Sequence, residues 1–276
     1  PIAYLYNMIL YPPAKINLGL HILAKRQDGY HEIETIMATI PFCDILEITV
    51  ADQDEFIQTG IAVPSDGQPN LCQRAVTLIR QQQELPNVRI HLRKQIPVGA
   101  GLGGGSADAS HTLLGLNALF NLGYSETELE NFAAQLGSDC PFFIDGGLQL
   151  AQGRGELLTK LDPLGKSVYL VLCNPKIHVS TANAYAGVRP LANRASLLET
   201  YKSKGIESIQ NDFESSVFQS FPEIQDLKNA LLSAGAFYAA MSGSGSSVFA
   251  LFEMDVVINL PEEVDQYVIY KGSWRF

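Results

Sequence analysis

The chain has 276 residues of which 46% are hydrophobic and 17% charged, enough apolar material for two cores and too much for a disordered segment. Its net charge of −10 argues against a nucleic-acid partner, because a phosphate backbone would be repelled on average. No apolar run has the length needed to cross a bilayer. Cys43, Cys72, Cys140 and Cys173 stand singly, without metal-ligand or disulfide spacing, which points to a reducing cytoplasm.

In chain order, residues 1–10 are apolar but lack the basic start and small-residue cleavage site of a leader; Met8 reads as the natural start, and residues 1–7 as an appended stretch. Ile16, Leu18, Leu20 and Ile22 alternate with Lys15, Asn17, Gly19 and His21, the pattern of a half-buried strand with Lys15 and Asn17 on its polar face. Strands follow at Leu46/Ile48/Val50 and Val88/Ile90/Leu92, with helical spacing at Leu71, Ala75, Leu78 and Ile79 between them. Ala109, Leu113, Leu116 and Phe120 predict an amphipathic helix ended by Gly123. Ser125 with Glu128 is a capping box opening another helix, which Gly137 ends. The glycines of 146–155 mark a hairpin, and Val168–Leu172 reads as a continuous apolar strand. A helix is expected around Ile224, Leu227 and Leu231, and two strands flank Ser242–Ser246. Such mixing predicts an α+β protein with a boundary near 155–165, dividing the chain into 8–160 and 161–276.

The segment most charged with chemistry is Pro97-Val98-Gly99-Ala100-Gly101-Leu102-Gly103-Gly104-Gly105-Ser106-Ala107, between a strand and the Ala109–Phe120 helix. Glycines let the backbone approach a ligand, and the amides at a helix start favour phosphate. A flexible linker is the bland alternative, but linkers do not join a strand to a well-patterned helix. No Lys-Ser/Thr follows the last glycine, which excludes a Walker A loop. The G-x-G-x-x-G spacing of a dinucleotide fold is present, but Arg89, His91 and Arg93 alternate along the preceding strand, unlike a buried parallel one.

This segment resembles the second signature of the GHMP kinases, which holds ATP phosphates. Pro13-Ala14-Lys15-Ile16-Asn17-Leu18 is similar to the first signature, and Met241-Ser242-Gly243-Ser244-Gly245-Ser246-Ser247 to the third, in family order. Arg26-Gln27-Asp28-Gly29-Tyr30-His31-Glu32 and Leu136-Gly137-Ser138-Asp139-Cys140-Pro141-Phe142-Phe143 resemble the branch that phosphorylates a cytidine-diphosphate-linked polyol of the non-mevalonate isoprenoid pathway. The likeness runs from about 12 to 252, and the C-terminal tail adds nothing to it. It departs in small ways: Ser138 stands where Ala is common, Cys140 where Val is common, and Ser in the third motif where Thr is frequent.

The resemblance implies a two-domain GHMP kinase fold, N-terminal ribosomal-protein-S5-domain-2-like and C-terminal ferredoxin-like. It implies Lys15 and Asp139 as the catalytic pair. Residues 97–107, Asn70, Gly243 and Ser244 would bind ATP, and Asn17, Tyr30, His31, Thr181 and Tyr185 would bind the cytidylyl substrate. Mg²⁺ is implied without ligands that the sequence identifies, and the oligomeric state stays open between monomer and weak homodimer. The chemistry agrees: phosphoryl transfer needs positioning, charge neutralisation and a proton acceptor. Asp139, after a helix end and before Pro141, sits in a fixed turn, and Lys15 supplies a point charge that can keep it ionised or stabilise the hydroxyl as it loses its proton.

Taken singly these residues read otherwise. An Asp before Pro usually caps a turn, a strand Lys is usually solvated, Tyr30-His31 would be a surface loop, and Tyr185 packing. His21, His91, His111 and His178 lack ligand spacing and read as structural. The alternatives are a GHMP kinase for mevalonate, homoserine or a sugar, or a non-catalytic protein of that fold. The Asp28-Gly29-Tyr30-His31 segment disfavours the first, and Lys15 with Asp139 the second.

Overall fold

A computed structural model describes residues 7–64, 67–163 and 165–275; most of the stretch 1–7 set apart in the sequence lies outside the described residues. Strands β1 (Asn7–Leu10), β2 (Pro13–Lys25), β3 (His31–Cys43), β4 (Ile45–Val50) and β5 (Glu55–Gly60) precede helix α1 (Leu71–Arg80). Strand β6 (Val88–Lys94) leads into α2 (Gly104–Leu119), α3 (Glu126–Leu136) and the single turn α4 (Phe142–Asp145). A hairpin of β7 (Leu148–Gly153) and β8 (Leu157–Lys160) is followed by β9 (Ser167–Cys173). Then come α5 (Thr181–Ala186), α6 (Leu197–Lys204), α7 (Phe213–Ser220), α8 (Pro222–Ser233), β10 (Tyr238–Met241), β11 (Val248–Phe252), α9 (Glu262–Asp265) and β12 (Val268–Arg275). Among the described residues no helix is long and apolar enough to cross a membrane.

These elements form two compact units, neither of them one continuous stretch of chain. The first comprises the start of the chain up to Ala14, Pro41–Val98 and Gly103–Gly146. Its sheet has the order β1-β4-β6-β5, with β4 antiparallel and β5 parallel to β6. Val88, Ile90 and Leu92 of β6 are buried while Arg89 and Arg93 face solvent, so this is not the two-sided burial of a doubly wound sheet. Helix α2 packs on that sheet and against α1, α3 and α4. The expectation of an amphipathic helix is therefore too weak: Ala107, Asp108, Ser110, Thr112 and Gly115 are buried along with Leu113 and Leu116. At Gly115 helix and sheet approach closely, since an added Cβ would lie 2.7 Å from the Ile48 side chain. Both flanking helices begin with capping boxes, Asn70 with Gln73 on α1 and Ser125 with Glu128 on α3.

The second unit comprises Lys15–Ile40, Gly99–Leu102 and Gly147–Phe276. It contains the sheets β2-β3-β7-β8 and β10-β11-β9-β12. Helix α8 covers β10 and β11, and Leu227 and Leu231 share a core with Val248, Ala250 and Phe252. β2 is not half-buried, for Lys15, Asn17 and His21 are 4%, 2% and 4% exposed. Their face is covered by residues from 197 to 211: a Cβ on Gly19 would lie 3.1 Å from Leu197 and 3.2 Å from Ile209. The C-terminal tail, undistinguished in sequence, pairs as β12 along the whole of β9, and Trp274 Nε1 donates to the Thr39 carbonyl at 3.1 Å.

Candidate active site

Burial of the polar face of β2 forces its groups to find partners. Lys15 Nζ donates to Asn17 Oδ1 at 2.7 Å, and Asn17 Nδ2 donates to Thr35 Oγ1 at 2.9 Å. Thr35 in turn donates to the Gly19 carbonyl at 2.5 Å. The strand places Lys15 and Asn17 two residues apart on one side, so the lysine is aimed by an amide that is itself held.

Two glycine segments meet this strand within the same unit. Lys15 N donates to the Leu102 carbonyl at 2.9 Å, and Ser247 N to the Ala100 carbonyl at 3.2 Å. Ser242 Oγ donates to the Gly101 carbonyl at 2.9 Å and accepts from Asn17 N at 3.3 Å. Only glycine fits at 101, where φ is +79° and a Cβ would lie 2.0 Å from the Ser242 carbonyl oxygen. The three sequence motifs thus come together through their backbones. Thr181 Oγ1 lies 3.3 Å from Ser244 Oγ, and Ser246 Oγ donates to the Ile177 carbonyl at 2.6 Å, so the segment before α5 joins the third loop.

In the first unit, Gly103 caps α2 with φ +69°, and the first turn of the helix carries no acidic side chain to compete for its amides. Gly104 is pressed on Ile96, 2.8 Å from an added Cβ, and on Lys94 Nζ, 2.9 Å from it. The turn carrying Asp139 packs against this helix start. A Cβ on Gly137 would lie 3.9 Å from Ser106 Oγ, and Ser110 Oγ donates to the Cys140 carbonyl at 2.7 Å. Asp139 itself is half-buried. Asn70 is the N-cap of α1, accepting from Cys72 N at 2.9 Å; Leu71, the next residue, lies 3.7 Å from a Cβ on Gly105. Beneath the loop is a charge cluster that sequence reading missed. Lys94 Nζ bonds Asp44 and, at 2.7 Å, Asp108, while Asp44 Oδ1 accepts from Gln95 N and Ile96 N at 2.5 and 2.9 Å. These residues are distant in sequence and carry no motif, so only pairing across the sheet unites them.

His31 and Tyr185, expected at the cytidylyl site, are stacked with ring centroids 4.3 Å apart and planes 14° apart. Phe213 meets the far side of Tyr185 edge-on at 4.7 Å. They share a cavity of about 320 Å³ with Lys25, Gly29, Ala182 and Val188. Burial, and after it the Lys25 charge, lowers the His31 pKa, which leaves the ring neutral at pH 7. Tyr30 is not part of that wall: it is 55% exposed, with the Arg154 guanidinium 4.9 Å from its ring centre.

The family model described as GHMP kinases N terminal domain matches residues 70–147, and that described as GHMP kinases C terminal matches 195–268. The chain is 47% identical over 250 residues to the 4-diphosphocytidyl-2-C-methyl-D-erythritol kinase of Azobacteroides pseudotrichonymphae, covering 89% of this chain and 94% of that one. Against the kinase of the same name from Bacteroides fragilis it is 46% identical over 276 residues, 98% of each. A crystal structure of 4-(cytidine 5'-diphospho)-2C-methyl-D-erythritol kinase superposes with a TM-score of 0.76 at 33% identity, over 97% of this chain and 98% of that one. With three motifs joined by their backbones and likeness along nearly its whole length, the chain belongs to the GHMP kinases, in the family of the 4-diphosphocytidyl-2-C-methyl-D-erythritol kinases.

Proposed function

We propose that the chain transfers the γ-phosphoryl group of ATP to the 2-hydroxyl of 4-diphosphocytidyl-2-C-methyl-D-erythritol. The observation that carries this reading is the meeting of Asn17, Gly101 and Ser242, one residue from each motif, in a single hydrogen-bonded arrangement, with Lys15 N on the Leu102 carbonyl beside it. The acceptor oxygen forms a bond to the γ-phosphorus, the bond from that phosphorus to the β,γ-bridging oxygen breaks, and ADP leaves. Asp139 takes the hydroxyl proton, and Lys15, aimed by Asn17, stabilises the charge that develops. Residues 97–107, with Gly243 and Ser244, hold the phosphates, and Asn70 borders the adenine. His31 and Tyr185 form the cytosine wall, with Tyr30 at its rim and Asn17 and Thr181 nearer the polyol.

Mg²⁺ belongs to this reading. Among the described residues no three His, Cys, Asp or Glu side chains gather as a cage. Mg²⁺ keeps its waters and is commonly held by one or two carboxylates together with substrate phosphates. The Ser106 hydroxyl, in the first turn of α2, is an oxygen donor that would suit it. When bound, the ion neutralises phosphate charge. The matched families fall on either side of residue 160, in keeping with a division into 8–160 and 161–276, but the compact units are interleaved, Lys15–Ile40, Gly99–Leu102 and Gly147–Phe276 forming one of them. A cytoplasmic setting is supported by the free thiols of Cys43, Cys72, Cys140 and Cys173.

The test is ADP release from ATP with and without the cytidylyl substrate, with the phosphorylated product followed by phosphorus NMR. Release stimulated by that substrate, and not by the bare polyol phosphate, is expected. Absence of stimulation would return the chain to another GHMP activity.

A further inference from the structure

We propose that Asn211 and Glu214 are positioning residues that set the glycine loop 241–247 for ATP before the nucleotide arrives; this rests on the assignment of that loop to the phosphates. Asn211 is 2% exposed. Its Nδ2 donates to the carbonyls of Met241 and Gly243 at 2.7 and 2.8 Å, and its Oδ1 accepts from Phe213 N at 3.0 Å. Two carbonyls at one end and an N–H at the other fix the orientation of the amide and use both its donors. Glu214 is 8% exposed. Its Oε1 accepts from Met241 N at 2.9 Å and its Oε2 from Lys228 Nζ at 2.6 Å. Both backbone polar groups of Met241, and the carbonyl two residues on, are therefore held by these two side chains.

The same short segment is tied to β2. Leu20 N donates to the Gln210 carbonyl at 2.9 Å, Asp212 N to the Leu20 carbonyl at 2.8 Å, and Ile22 N to Asp212 Oδ2 at 2.8 Å. Arg194 clasps Asp212 from the other side at 2.7 and 2.9 Å. The strand that carries Lys15 and Asn17 and the loop that carries Gly243 are thus registered on one peptide, 210–214. A loop with Gly243 at φ +55° and Gly245 at φ +91° has much conformational freedom to lose. Holding its first residues in place lowers the ordering cost that ATP binding would otherwise carry. Asn211, Glu214 and Lys228 also line a cavity of about 800 Å³.

The test is steady-state kinetics on purified variants, varying ATP and the cytidylyl substrate separately, with a melting curve for each protein. Asn211→Asp is isosteric and keeps the acceptor for Phe213 but turns acceptors toward two carbonyls. It is expected to raise the KM for ATP roughly ten- to a hundredfold while leaving that for the cytidylyl substrate unchanged. Glu214→Met, with no acceptor for Met241, should raise the KM for ATP, and Glu214→Gln, which retains one, should restore it. If Asn211→Asp does not fold, the two Glu214 variants decide by the same criterion. A parallel rise in both KM values, or no rescue by Gln, would mean a merely structural role and would overturn the proposal. Gly243→Ala separates the two levels. If it raises the KM for ATP while Asn211→Asp and Glu214→Met do not, the positioning proposal falls and the loop assignment stands. If none of the three changes it, the loop assignment falls as well.

Discussion

Two buried lysines make a natural comparison. Lys15, 4% exposed on β2, donates to the Asn17 amide, which Thr35 holds in place. Lys94, 2% exposed at the end of β6, bonds two carboxylates, Asp44 and Asp108, and Asp44 also accepts two backbone amides. The Asn17 amide aims the Lys15 ammonium, whereas Asp44 and Asp108 hold the Lys94 ammonium between two side chains and turn it into a bracket. The first arrangement suits chemistry and the second suits the anchoring of a loop, although the same side chain is at the centre of both. Burial alone does not tell a functional lysine from a structural one.

The largest expected effect tests whether carboxylate chemistry resides at Asp139 rather than in the Lys94 cluster. Asp139→Asn should lower turnover by roughly 10²–10⁴, the range for a lost general base, with little change in ATP affinity. A folded variant with normal turnover would leave Asp139 a turn cap. Next, the two lysines should separate cleanly. Lys15→Met should lower turnover by about 10²–10³, as for a lost electrostatic stabiliser, with little change in melting temperature. Lys94→Met leaves the buried Asp44 and Asp108 without their cation and should cost about 3–5 kcal/mol in stability, read by urea unfolding. If Lys94→Met instead folds normally and is inactive, the contrast is wrong.

A smaller effect concerns the aromatic wall. Tyr185→Ala should weaken binding of the cytidylyl substrate roughly ten- to a hundredfold by calorimetry, from the loss of stacking on a base. Tyr30→Ala should weaken it less, because that ring is 55% exposed and lies under Arg154. Equal losses would put Tyr30 in the wall as well.

The smallest effect is in the pH dependence of stability. Burial, opposed by Lys94 and seconded by Asp44, pushes the Asp108 carboxyl from 3.8 up to about 7. Between these values the folded chain holds a proton that the unfolded chain releases. Its contribution to stability is therefore full below 3.8 and is lost as pH rises through about 7. Asp108→Asn removes this titration, so urea unfolding should find the variant faring better relative to the unaltered chain at pH 8 than at pH 5. A difference independent of pH would mean that Asp108 does not titrate in that window.

What could be read beforehand was local. The cap at Ser125, the glycines at 99–105 and the alternation along β2 and β6 express conformations set by each residue's own torsions and near neighbours. The motifs at 13–18, 97–107 and 241–247 were legible because close backbone approach, as between Gly101 and Ser242, leaves glycine and serine as its trace. Other features had no local trace. Asn211 and Glu214 look like ordinary helix-entry residues until the fold brings Met241 and Gly243 to them. Asp44 lies 50 residues from Lys94, and Lys94 lies 14 from Asp108 with no shared motif, and the polar face of β2 reads as solvated until Leu197 and Ile209 cover it. Sequence by itself determined the elements and the glycine loops, because torsional preference and hydrophobic period are properties of short stretches. The tertiary structure alone decided which polar groups are buried and what satisfies them, because a buried donor is paired by whatever the distant chain delivers to it.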